Sequence, residues 1–160
     1  MTRTLAISIR EPTLILARAE QMAVHIHLGE PLVAHVDAMD RQLRALRLER
    51  AGGIGLLFVV GPGSSAPSGA VRARAMDVFR GLRDDIKIVS TVILGSGFGA
   101  ATKRSAFTML ASTVFGSARV KVFGGLDEAG IWLAAECTKA SIACPPGRDL
   151  ATEVRALMTG

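Results

Sequence analysis

The run Ile86-Lys87-Ile88-Val89-Ser90-Thr91-Val92-Ile93-Leu94 breaks at Gly95-Ser96-Gly97 and passes directly into Phe98-Gly99-Ala100-Ala101-Thr102-Lys103-Arg104-Ser105. The first segment has the composition of a buried strand, the glycines make a tight turn, and the small residues after them open a helix. A strand-to-helix turn in an α/β protein aims backbone N–H groups and the positive end of a helix at one point. The turn is therefore suited to an anion or a partner, with Gly95, Ser96, Gly97, Lys103 and Arg104 as candidate residues.

The same grammar repeats outward from this unit. Upstream, Ile54 to Val60 is a continuous apolar run of strand length without alternation, as expected for a strand lying centrally in its sheet. It stops at Gly61-Pro62-Gly63-Ser64-Ser65-Ala66-Pro67-Ser68, which cannot extend a strand. Ser68 suits an N-cap, and Val71, Ala75, Val78, Phe79 and Leu82 form the buried stripe of the following helix. Before that, Pro31 opens a helix with Leu32, Val36, Met39, Leu43 and Leu46 on its apolar side, ending near Gly52-Gly53. Leu5 to Ile9, Thr13 to Ala17 and Met22 to Leu28 read as an antiparallel N-terminal meander.

Downstream, the helix after Gly97 places Phe98, Ala101, Ala106, Leu110 and Val114 on one side and is rich in small residues. Arg119 to Phe123 is a short strand, and Asp127 and Glu128 suit the start of the next helix. Pro145-Pro146-Gly147 then separates a terminal helix, Asp149 to Met158. The order predicts a mixed α/β sheet with an antiparallel N-terminal edge and right-handed crossovers, with helices mainly on one face. The domain spans residues 1–144, followed by a C-terminal helical tail, 145–160.

Composition narrows the function classes. At 160 residues with 49% hydrophobic content, the chain is long enough for one substantial core. Charged or Gly/Pro-rich punctuation interrupts every apolar stretch, so no membrane span is expected. The N-terminal residues lack the apolar region of a signal peptide, which points to the cytoplasm. Cys137 and Cys144 have no zinc-type spacing and read as reduced thiols. The net charge of +5 is scattered along helices, and with no Tyr and one Trp there is little for bases to stack on. Nucleic-acid binding is not expected.

Tests for catalysis and cofactors end negatively. Gly95-Ser96-Gly97-Phe98-Gly99-Ala100 matches the dinucleotide pattern Gly-x-Gly-x-x-Ala, but the ribose-binding acid that should follow about 20 residues on is absent. A turn needing small residues for close packing and an anion site remain open. His25 and His27 share a strand face and could meet a metal with His35, yet no carboxylate or cysteine has supporting spacing, and exposed edge histidines are the plainer reading. No Gly-x-Ser-x-Gly elbow or P-loop lysine occurs, so no enzyme, cofactor or metal is expected.

Three features together resemble the STAS and SpoIIAA-like families. They are the strand Gly55-Leu56-Leu57-Phe58-Val59-Val60 before a Ser-rich loop, the strand Ile88 to Leu94 before Gly95-Ser96-Gly97-Phe98, and Val120-Lys121-Val122-Phe123 followed by Leu126-Asp127-Glu128-Ala129-Gly130-Ile131-Trp132-Leu133. The resemblance covers roughly Leu5 to Ala135 at the level of topology. It implies a non-catalytic regulatory or protein-binding module, with an anti-sigma factor or kinase as partner and possible homo-oligomers. In such proteins a serine at the start of the helix after the third strand is phosphorylated, which makes Ser64, Ser65 and Ser68 candidates. The usual Asp-x-Ser ending of the strand is replaced here by Gly61-Pro62-Gly63. The alternative implied by some relatives is a small-ligand or lipid-binding pocket between the 98–115 helix and the sheet.

Overall fold

The computed structural model describes residues 5–160, and among these six strands form one sheet in chain order. They are β1 (Ala6–Arg10), β2 (Leu14–Ala19), β3 (Met22–His27), β4 (Ile54–Val60), β5 (Ile86–Ile93) and β6 (Val120–Phe123). β1, β2 and β3 pair antiparallel, whereas β3 through β6 run parallel. The N-terminal meander turns at Glu20 and Gln21, with Ala19 facing Met22 across the hairpin.

The helices follow from that order. Parallel strands added always to the same side, each through a right-handed crossover, must place their connecting helices on one face. α1 (Val33–Glu49), α2 (Gly69–Gly81) and α3 (Gly97–Phe115) are those crossovers. α4 (Leu126–Lys139) and α5 (Gly147–Thr159) come after the last strand and cover the opposite face. Two apolar layers result. Val24, Ile26, Leu57, Val59 and Val92 pack with Leu126, Ala129 and Leu133 of α4 and with Leu150, Ala151 and Val154 of α5. On the other side Leu56, Val89 and Val120 pack with Leu43 and Leu46 of α1, Val71 and Val78 of α2, and Val114 and Phe115 of α3.

Burial on both faces explains why β4 and β5 show no clean alternation in sequence. β5 also carries a register slip: Ile54 pairs with Ile86 but Gly55 pairs with Ile88, leaving Lys87 as an extra residue. After the slip, Val89, Thr91 and Ile93 share a face with Leu56, Phe58 and Val60. That phase is what brings Thr91 under the crossover helices.

Ion pairs decorate the exteriors of α1 and α2. Arg44 bonds Asp40 at 2.7 Å within α1, and Arg74 of α2 reaches Asp37 at 2.8 Å and Asp40 at 3.4 Å. Exposed pairs of this kind add only a few tenths of a kcal/mol each, roughly 0.2–1. They orient α1 against α2 more than they stabilise the fold.

Candidate functional site

The Ser-rich loop and the Gly95 turn both leave the sheet at the carboxyl ends of parallel strands, so the fold brings the two candidate segments together. Lys103 Nζ donates to the Ser64 carbonyl at 2.8 Å. Ser64 itself is buried, its hydroxyl donating to the Gly29 carbonyl at 2.8 Å. Ser65 and Ser68 are exposed, and Ser68 caps α2 by accepting from the Val71 N–H at 3.3 Å. Gly95 and Gly97 hold φ of +116° and +85°, conformations that the turn requires and a side chain would strain. Ser96 is exposed and makes no cap bond to α3. Arg104 Nη1 donates to the Ile93 carbonyl at 3.1 Å and so fastens α3 to the end of β5. Both cations of the turn thus already hold backbone carbonyls.

Between these segments lies a cavity of about 530 Å³, roofed by α2 and α3, walled by α1 and floored by β3, β4 and β5. Its size falls within the roughly 300–1,000 Å³ of sites that hold small organic molecules. α3 makes it possible. Of its residues only Ala100, Val114 and Phe115 are buried, because the helix stands away from β5 instead of lying down on it. The lining is aliphatic and aromatic, with Met39, Phe58, Val60, Phe79, Phe107 and Leu110 prominent. Arg72 and Lys103 are the charged side chains that reach it.

Three histidines approach from the α1 side, and each is a different case. His25 is fully buried, and its Nε2 lies 2.8 Å from Gln42 Oε1. Gln42 Nε2 donates to the Ala17 carbonyl at 3.2 Å. A carbonyl only accepts, so the amide orientation is fixed and His25 Nε2 must carry the proton. His35 Nδ1 accepts from the Leu32 N–H at 3.2 Å at the start of α1, which leaves Nε2 as its donor toward Thr13 Oγ1 at 3.5 Å. His27 stacks on Phe58 with ring centroids 4.5 Å apart, and Phe58 meets Phe107 of α3 at 5.3 Å. His25 and His27 are not exposed edge residues, because β3 is the third strand of six.

Burial lowers the His25 pKa to about 4, with the Gln42 hydrogen bond opposing the shift. His27 falls to about 3, first through burial and then through the nearby charges of His25 and His35. Both rings are therefore neutral at ordinary pH. Among the described residues, no cluster of three or more His, Cys, Asp and Glu is placed to share a metal ion.

Among the described residues three buried polar atoms have no partner, His25 Nδ1, His27 Nε2 and Thr91 Oγ1, and the last two belong to residues that line the cavity. The neighbouring hydroxyl shows the contrast. Ser90 points to the other face and donates to the Ala129 carbonyl of α4 at 3.4 Å, whereas Thr91 donates to nothing. Sequence reasoning placed a pocket under the 98–115 helix as its alternative but missed His27 and Thr91 as its polar points. The available signal was a threonine inside a mostly aliphatic strand and a histidine on a central one.

No protein-family model and no curated protein matches the sequence. Among the described residues, no helix is long and apolar enough to cross a membrane. Among solved structures, the chain is similar to an uncharacterized DUF3478-family protein with a SpoIIAA-like fold from Shewanella loihica PV-4. That likeness has a TM-score of 0.55 at 16% identity and covers 83% of this chain and 98% of that one. With its antiparallel entry, its parallel strands in chain order and its crossover helices, this chain has the SpoIIAA-like fold.

Proposed function

We propose that this protein is a non-catalytic module that binds a small apolar molecule in the cavity between α3 and the sheet. The observation that supports this most is the cavity itself. Protein interiors are packed to about the density of organic crystals and seldom leave voids larger than a water. A space of about 530 Å³ lined by Phe58, Phe107 and Leu110 forgoes the dispersion contacts those side chains would otherwise make. A ligand restores them.

Nile red, an uncharged dye that brightens in apolar surroundings, tests the reading. The wild-type chain gives a saturable rise in fluorescence. Ala111→Phe and Ala75→Phe, which project bulk into the space, lower the affinity at least tenfold, while Ala101→Phe on the exposed side of α3 leaves it unchanged. Equal binding by all four proteins would contradict the proposal.

A regulatory role is a compatible second reading. Ser65 lines the cavity and is exposed, Ser68 and Ser96 are exposed at the starts of α2 and α3, and Phe98, two residues after Ser96, is 89% exposed. A protein partner reading these residues would sense how α3 sits over the bound molecule.

A further inference from the structure

Resting on the cavity reading, we infer that the ligand is uncharged and carries hydrogen-bonding oxygens on either side of an apolar middle, one for Thr91 and one for His27. Phe58 decides the spacing. Thr91 is its direct cross-strand neighbour on β5, and His27 stacks on the ring from the β3 side. The two residues thus stand on opposite flanks of Phe58. With strands about 4.8 Å apart, β3 and β5 are separated by roughly 10 Å. Two residues rooted that far apart suit a flat molecule lying across Phe58 with an oxygen toward each.

The exclusion of charge follows from the surroundings. Thr91 is fully buried and His27 is 5% exposed, so a charged group brought to either would lose its hydration. The other titratable side chains near the floor do not compensate. His25 is held by Gln42, and His35 is engaged with Leu32 and Thr13 and lies 3.7 Å from Glu11. Lys103 and Arg72 sit at the rim, with Lys103 already on the Ser64 carbonyl. A neutral imidazole and a hydroxyl select an alcohol or a ketone over a carboxylate or an amine.

A rigid saturated steroid skeleton supplies probes of suitable span: the diol with a hydroxyl at each end, the two mono-ols, and the diol's sulfate ester. Competition against Nile red on the full chain should rank the diol about tenfold tighter than either mono-ol and at least tenfold tighter than the sulfate. Thr91→Val should reduce diol affinity about tenfold, reduce one mono-ol similarly and leave the other unchanged. The same substitution should raise the unliganded Tm by a few degrees, because it removes an unpaired buried hydroxyl. A merely structural threonine would not combine higher stability with weaker binding. If the mono-ols match the diol, if the sulfate binds best, or if Thr91→Val binds all probes normally, the two-point assignment is wrong although the cavity reading stands. If no probe, Nile red included, binds at all, the cavity reading itself fails.

Discussion

His25 and His27 tie the stability of the fold to pH. Their folded pKa values of about 4 and about 3 lie below the ordinary 6.5, so the unfolded chain takes up protons that the native chain refuses. Their contribution is complete above about pH 6.5 and is lost as pH falls toward the folded values. Where both rings are protonated only in the unfolded chain, the slope approaches about 2.7 kcal/mol per pH unit. Urea denaturation between about pH 7 and pH 4.5 should show this fall, and His25→Gln or His27→Phe should each remove about half of the slope. A wild-type stability flat over that range would show that these rings are solvated. The sequence already displayed the pair on one strand face. It did not display their burial, because burial depends on β3 being interior, which only the pairing of β1 and β2 outside it determines.

At the scale of elements, α4 and α5 cross at two glycines. A Cβ on Gly130 would stand 2.4 Å from the Gly147 carbonyl oxygen, and one on Gly147 would stand 2.4 Å from that of Gly130. Both obstacles are backbone and cannot swing aside. Helix propensity alone favours Gly130→Ala by about 1 kcal/mol, whereas overpacking costs about 1–3 kcal/mol. The contact should win, so Gly130→Ala is expected to lower stability by about 1 kcal/mol in urea denaturation. A stabilised variant would place the helices farther apart than described. The periodicity of α4 and the Pro145-Pro146-Gly147 break were readable from sequence, and so was the narrow apolar stripe of α5. That α5 seats Leu150, Ala151 and Val154 in the core beneath the sheet was not. Neither was the outward position of Phe98, since a helix that stands off its sheet has an apolar face whichever way it is turned.

At the scale of the molecule, one topological fact governs the rest. Three crossovers on one face must share the space above four parallel strands, and α3, anchored by Arg104 on Ile93 and by Val114 and Phe115 at its far end, bridges that space without filling it. The succession of strands and helices along the chain was legible because apolar runs, turn residues and helical stripes alternate so regularly. The cavity was legible only as an alternative, because sequence records which residues are apolar and not how far apart their elements come to rest. The most direct test is a crystal structure of the full chain grown with the steroid diol. The account predicts density for the diol between α3 and the sheet, across Phe58, with one oxygen in hydrogen-bond range of Thr91 Oγ1 and the other in range of His27 Nε2. An α3 found lying on β5, with the space closed and the diol absent, would contradict it.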